Sequence, residues 1–354
     1  MDIKLIEALS NASGVPGFED EVVSVIQNYV GDKLIVEVDT MNNMILKRYK
    51  DENKENLPIL MLDAHSDEIG FMVHAILNNG LIKFLPLGGW NAQNVAAQKV
   101  YILNEEGAYI EGVIASKPPH FSNGPEQLIP LSDLRIDVGA SSATEVKELF
   151  KIEVGAPIVP VAQFSYVHQT EMIRGKAFDN RLGCSAVIET MLAFAELDLN
   201  IRLVGAISSQ EEVGMRGAGI NANKIKPDYA IVFEGTPADD TFKSSDEAQG
   251  VLKKGTQIRH FDRSMIANPK FTKMAIDLAN ANDIKAQRAV REGGATNAGA
   301  IHLSNLGVPC LVLGTPVRYA HTHHGYSSIQ DHEATIALAG KVILELSAEA
   351  KERA

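Results

Sequence analysis

Cysteine is almost missing from this chain: Cys184 and Cys310 are the only two and lie far apart in sequence. That leaves no disulfide framework and suits a reducing compartment. Tryptophan occurs once and aromatics make up 6% of the residues, few for the stacking platforms of a polysaccharide cleft. No apolar run approaches the ~20 residues of a membrane span. Basic residues are outnumbered, 33 Lys and Arg against 45 Asp and Glu, for a net charge of -12 with no dense cationic cluster; a nucleic-acid partner, which needs a basic surface, is excluded. The opening stretch MDIKLIEALSNASGVPG lacks both the basic leader and the continuous apolar core of a signal peptide. The expected location is the cytoplasm. Internal repeats and low-complexity segments are absent too, apart from a short charged tail after Glu345 that ends the last helix.

What is present describes a soluble globular protein. With 354 residues, 45% hydrophobic and 22% charged, the chain has the length of about two domains and ordinary composition. Val22, Val23, Ile26 and Val30 form a helical stripe, predicting a helix from about Glu19 to Val30 after the turn-rich Ser13-Gly14-Val15-Pro16-Gly17. Leu34 to Asp39 and Met44 to Tyr49 read as strands, and Pro58 to Leu62 as a buried one. From about Gly70 to Val161 short β-type runs are broken by Gly, Pro and Asn, with a helical pattern only at Ala143 to Leu149: a compact β-rich unit inserted into something else. After Gly175, helix and strand patterns alternate: Asn180 to Leu197, Ile201 to Ser208, Tyr229 to Phe233, Pro269 to Ala281 and Val308 to Gly314. Such alternation predicts an α/β sheet with helices on its faces.

Potential metal ligands gather at the ends of these buried strands, where an open α/β sheet collects its ligands. His65 follows the strand ending at Leu62-Asp63, Glu211 and Glu212 follow Ile201 to Ser208, and Glu234 follows Tyr229 to Phe233. His321 lies in the loop after the strand ending near Gly314, and Asp179 opens the helix near Asn180. Singly, each has a bland reading: a helix N-cap for Asp179, a solvated pair of acids for Glu211 and Glu212, a hydrogen-bonded strand-end histidine for His65, a turn residue for Glu234. A single dinuclear centre accounts for all of them at once, in the imidazole and carboxylate ligands that zinc takes. Asp67, two residues beyond His65, is placed to orient that imidazole or to be a plain surface acid.

The runs LDAHSDEIGFMV, KAFDNRLGC, SSQEEVGMRGA and RYAHTHHG resemble the metal and catalytic motifs of metallopeptidase family forty-two, the tetrahedral aminopeptidases often labelled glutamyl aminopeptidase. The likeness extends through GGWNAQNVAAQKV, ASKPPHFSNGPEQ, RIDVGASS, DRSMIANPKF and REGGATNAGAIHLSNLGVPC, nearly the whole chain. It implies a zinc-peptidase-like three-layer α/β sandwich with a mixed central sheet over residues 1–69 and 162–354, and a barrel-like dimerisation domain inserted at 70–161. It further implies two divalent metal ions, zinc with cobalt or manganese as alternatives, held by His65, Asp179, Glu212, Glu234 and His321. Asp179 would bridge them, and Glu211 would be the general base. The implied activity is removal of N-terminal residues from short peptides, the substrate's free amine being anchored at the metals, in a particle of dimers assembled into a tetrahedral dodecamer. Lys117 to Pro130 would then be a loop near the interior of the assembly.

Two positions depart from the family pattern. Glu234 stands where Asp is usual, one methylene longer. Asn297, in Gly293-Gly294-Ala295-Thr296-Asn297-Ala298-Gly299, replaces an Asp and removes a charge from what is expected to be the substrate side. His323 and His324 read as pocket or surface residues, Cys184 and Cys310 as core, and Arg259 and Arg263 as available cations without an assigned place. Three rivals are kept: a deacylase or carboxypeptidase on the same scaffold, an endoglucanase, and a non-catalytic assembly subunit.

Overall fold

Four buried strands run parallel through the middle of the computed structural model, which describes residues 2–116, 119–121 and 129–353. In sheet order they are Arg202–Ser208, Ile59–His65, Tyr229–Pro237 and Cys310–Arg318. Each is a near-continuous apolar run without alternation, as strands covered on both faces must be. Antiparallel strands extend the sheet on both sides: Met44–Lys47 and Ile35–Val38 beyond Arg202–Ser208, and Gly325–Ser328, Met172–Gly175 and Ser165–Val167 beyond Cys310–Arg318. Thr256–Phe261 and Ala286–Val290 branch from Cys310–Arg318. The result is a mixed sheet of eleven strands.

Helices cover it on both faces. On one side Phe178–Ala193 lies directly on the sheet. From Phe178 to Met191 only Asp179 and Glu189 escape full burial, because this helix is itself roofed by Ile3–Asn11, Asp20–Val30 and Ile329–Arg353; its buried Arg181 donates to the Ser66, Leu9 and Ala12 carbonyls. The other face carries Arg216–Ile225 and the short Ala298–Ile301 over a smaller core that includes Met61, Val232 and Val312.

The six strands Gly70–Ile76, Ile82–Leu87, Ile136–Asp137, Tyr109–Ile114, Lys99–Leu103 and Pro157–Pro160 close into a barrel. It has its own core, built around Phe71, Phe84, Ile102 and Ile158. Of the loop expected over 117–130, residues 117, 118 and 122–128 lie outside the described residues. No helix among the described residues is long and apolar enough to cross a membrane.

Strand lengths differ from the sequence reading in a way that matters for the site. The strand read as ending at Leu62 continues to His65, Tyr229–Phe233 continues to Pro237, and the strand read as ending near Gly314 continues to Arg318. His65 and Glu234 are therefore strand residues. The Gly and Pro in these extensions punctuate turns elsewhere, but here parallel neighbours continue the hydrogen-bonded ladder past them.

Candidate metal centre

Sheet register brings the first residues together. Val232 pairs with Asp63 and Ser208 with His65, so Glu234, two residues beyond Val232, stands level with His65, and Glu211 and Glu212 emerge just past the same level. Asp179 is delivered from the opposite layer, at the start of Phe178–Ala193, where it and Asn180 have non-helical backbone angles and a cis peptide joins them. Asn180 anchors this turn to the sheet by donating to the Phe233 carbonyl at 2.9 Å. Gly235 makes the approach possible: a Cβ there would stand 2.3 Å from the Phe178 carbonyl oxygen and 2.7 Å from Asp179 Cα.

The side chains form two groups that share Asp179. His65 Nε2 lies 3.1 Å from Asp179 Oδ1, 3.6 Å from Glu234 Oε1 and 3.9 Å from Glu211 Oε2. His321 Nε2 lies 3.5 Å from Asp179 Oδ2 and 3.4 Å from Glu212 Oε1. Asp179 thus turns one oxygen to each imidazole. In both histidines Nδ1 faces a carbonyl, Asp67 O at 3.1 Å and Gly89 O at 2.8 Å. A carbonyl can only accept, so Nδ1 carries a proton in both rings and leaves Nε2 facing the cluster, where it holds a proton against Asp179 in the cation-free protein and would offer its lone pair to a cation that displaced that proton.

Asp67 performs a further task beside the one expected. Its carboxylate is 3.5 Å from His65 Nδ1, farther than its own carbonyl, and also accepts the backbone N–H of Glu211 at 2.9 Å and of Glu212 at 3.0 Å. It fixes the acidic loop directly and the imidazole through its main chain. Glu19, buried at the head of the helix Asp20–Val30, holds the same loop one residue earlier by accepting from Gln210 N at 3.2 Å.

Four carboxyl groups face two imidazoles in a buried space. Burial raises the Glu211 carboxyl well above the usual range, with Glu212 and Glu234 adding to it. It lifts Glu212 to about 8 and Glu234 to about 7 as well, with Asp179 contributing to both. At His321 burial opposes the charge, but Glu212 and Asp179 outweigh it and bring the imidazole up to about 10; His65 goes the same way against the same opposition, through Asp179 and Asp67 first. Asp179, although buried, is held well below the carboxylate range by His321 and His65. The cation-free cluster is therefore stabilised by protons that a divalent ion would displace. Glu212 Oε1 is buried and makes no hydrogen bond, its nearest cationic neighbour being the His321 imidazole at 3.4 Å, which leaves it free to coordinate an ion. Both the donor chemistry and this orphaned oxygen fit zinc-type ions, in the overlapping sets His65-Asp179-Glu234 and Asp179-Glu212-His321.

Above the cluster opens a cavity of about 610 Å³. Its far wall carries Arg259 and Arg291, both with a buried Nε lacking any hydrogen-bond partner. Arg259 is otherwise tied to Asp262 at 3.1 Å and to Thr236 Oγ1 at 2.8 Å. No Phe, Tyr or Trp is among the lining residues.

All seven expected residues, His65, Asp67, Asp179, Glu211, Glu212, Glu234 and His321, thus meet in one place. The longer Glu234 still reaches His65. Asn297 is a correction: it is 1% exposed and lies behind the cavity, donating from Nδ2 to Asp63 Oδ2 at 2.7 Å, so its neutral amide sits under the sheet end and not on the substrate side. His323 is buried against Trp90, and His324 is exposed. Of the two expected cations Arg259 lines the cavity, whereas Arg263 donates to the Glu292 carbonyl. Glu19, Gly89 and Arg291 were not singled out from the sequence: two act on or through backbone groups, and Arg291 lies in an unremarkable polar stretch. Cys184 and Cys310 are buried, free thiols, the first donating to the His65 carbonyl.

A model of the M42 glutamyl aminopeptidase family matches residues 42–338. The glutamyl aminopeptidase of Lactococcus lactis subsp. cremoris (strain MG1363) is 33% identical over 352 residues, 97% of this chain and 96% of that protein. Among solved structures, the TET aminopeptidase of the marine sediment archaeon Thaumarchaeota archaeon SCGC AB-539-E09 superposes with a TM-score of 0.92 at 34% identity, covering 99% of each chain. The TET1 peptidase of Pyrococcus horikoshii, which can assemble into a tetrahedron or a large octahedral shell, gives 0.86 at 28% identity over 97% of this chain and 99% of that one.

Proposed function

The chain belongs to the M42 peptidase family of glutamyl aminopeptidases, metal-dependent hydrolases of peptide bonds, and on that premise we propose how its residues divide the work. Two divalent cations, zinc first, would be held by His65, Asp179 and Glu234 on one side and by Asp179, Glu212 and His321 on the other. The observation that carries this reading is Asp179, whose two oxygens face the two imidazoles separately. Cations bound there would polarise a scissile carbonyl and acidify water.

The remaining chemistry belongs to the protein. Glu211 is the general base: lining the cavity beside the two ligand groups, it takes a proton from the attacking water on a carboxylate oxygen and returns it to the departing amine. Asp67 holds the Glu211 and Glu212 amides, so the base keeps its place while its proton moves. The cluster lies on the cavity floor, closed from below by strand ends, which admits the end of a peptide and not the middle of a folded chain. Arg259 and Arg291 line the cavity, bonded to Asp262 and Thr236 and to Asp239 and the Pro237 carbonyl, and their positive charge would favour an acidic first side chain there. The absence of aromatic rings from the lining argues against a sugar polymer as substrate.

The seam at 70 and 161 separates the catalytic unit from a barrel that serves self-association, and a related peptidase solved as a dodecamer supports a dodecamer of this chain. The deciding experiment compares Glu211→Gln with the wild type on a panel of aminoacyl p-nitroanilides, each free and N-acetylated. The expected result is hydrolysis of the free glutamyl and aspartyl substrates only, lower by about 10²–10⁴-fold in Glu211→Gln with metal content unchanged. Cleavage of acetylated substrate, or full activity in the variant, would overturn the reading.

A further inference from the structure

The barrel reaches into the candidate centre at one point. After the strand Ile82–Leu87 the chain runs through Gly88, Gly89 and Trp90, and the Gly89 carbonyl accepts the Nδ1 proton of His321 at 2.8 Å. A side chain added here would clash with Ile69 or press on the cluster. A Cβ on Gly88 would stand 2.5 Å from Ile69 Cγ2 and 3.2 Å from Glu212 Oε2, and one on Gly89 would stand 3.2 Å from His321 Nδ1. Gly88 also has φ +87, a conformation glycine adopts without strain.

His321 has little else to hold it. It sits in a loop with its side chain 39% exposed, where the His65 side chain is 2% exposed. Tyr319 and His321 both have φ of 60, the left-handed region that non-glycine residues rarely occupy and that persists only when surrounding structure imposes it. The Gly-Gly segment itself is fixed from the barrel side. Trp90 stacks on Phe71 with ring centroids 4.7 Å apart, donates from Nε1 to the Gly70 carbonyl at 3.0 Å, and stands 5.4 Å from the ring of His323, two residues beyond His321.

We propose that Gly88-Gly89-Trp90 is a positioning element of the metal centre, through which the barrel holds His321 in place, whereas His65 and Glu234 are held by the sheet. Gly89 acts on His321 as an orienting outer partner acts on a metal-bound imidazole, and Trp90 keeps Gly89 where it is. The two cation sites therefore differ in their dependence on barrel docking. This rests on the two-cation reading above.

The test is a zinc titration of chelator-treated full-length protein, followed by calorimetry and by the emission of Trp90, the single tryptophan of the chain. Wild type is expected to take up two ions, with the emission moving during one step and not the other. In Gly89→Ala that same step weakens by about 10–100-fold, the usual loss when an outer partner of a metal ligand is disturbed, and the other stays within about twofold. Trp90→Phe keeps a ring on Phe71 and loses one hydrogen bond; it should weaken the same step less, and it decides the matter by calorimetry if Gly89→Ala melts below the titration temperature. Equal weakening of both steps, weakening of neither, or emission indifferent to zinc would overturn the assignment. Fewer than two ions on the wild type would instead sink the two-cation reading.

Discussion

His65 and His321 present the same nitrogen to the same carboxylate from opposite kinds of scaffold. His65 is the last residue of a central strand, with parallel partners on both sides, its Nδ1 bonded two residues along its own chain. His321 is carried by a strained loop and steadied by a carbonyl from another part of the fold, 232 residues away in sequence. A rigid site can thus be half sheet and half assembly: the first half forms whenever the sheet forms, and the second only when the barrel is seated beside it.

Removing each imidazole in turn breaks the comparison most directly. His65→Ala empties a buried position and leaves the Asp67 carbonyl and Asp179 Oδ1 without their partner. Cation-free protein should lose on the order of 2–4 kcal/mol in urea denaturation. His321→Ala removes a half-exposed ring and should shift the same midpoint by no more than about 1 kcal/mol, while aminopeptidase activity falls steeply in both. Equal destabilisation by the two variants would mean that the loop is as integral to the fold as the strand.

A smaller effect is expected at Asp67, which lies under the sheet half but serves both halves by accepting from the Glu211 and Glu212 amides. Asp67→Asn keeps one acceptor oxygen and leaves one buried N–H unpaired, a loss of about 1–3 kcal/mol. Because the released loop carries both the proposed base and a proposed ligand, kcat should fall about tenfold with KM nearly unchanged. A change in KM alone would place Asp67 in substrate binding and not beneath the loop.

Much of the sheet half was legible in the sequence, for a physical reason. A strand buried on both faces must be an apolar run, so a histidine or acid at the end of such a run stands out, as His65 does after Ile59–Leu62 and Glu234 after Tyr229–Phe233. Asp179 was recognisable at the start of a long apolar helix, although its contact with both histidines depends on layer packing that no local pattern records. The barrel side was harder to read. Gly89 contributes a carbonyl, and backbone groups have no signature beyond the permissiveness of a Gly-Gly pair. Short edge strands such as Ser165–Val167 and Ala286–Val290 have too few residues for alternation to register, and with the latter unrecognised, the neighbouring Arg291 could not be placed on the cavity wall. Asn297 was misplaced because the family pattern put its run on the substrate side, whereas three residues after Gly294 the side chain is buried against Asp63.

An effect of zinc close to zero is expected at an acid outside the cluster, which tests whether the cluster's need for a cation is peculiar to it or common to buried acids of this fold. Asp331, at the start of the helix Ile329–Arg353, is 0% exposed but fully provided for by the chain: its two oxygens accept from Lys253 N and Gly255 N, each at 2.6 Å. Burial outweighs those donors and lifts its carboxyl from 3.8 to about 6. Between these values the folded state holds a proton that the unfolded state has released, so stability falls as pH rises from about 4 to about 6, by on the order of 2 kcal/mol. Asp331→Asn does not titrate and should lack that portion of the slope. The difference between the two proteins, measured by urea denaturation at pH 4 and pH 6.5, should be the same with zinc and with chelator, because backbone donors already satisfy this acid. A difference that changes with zinc would join Asp331 to the cluster electrostatically, and the contrast between carboxyls completed by the chain and carboxyls completed by a cation would not hold.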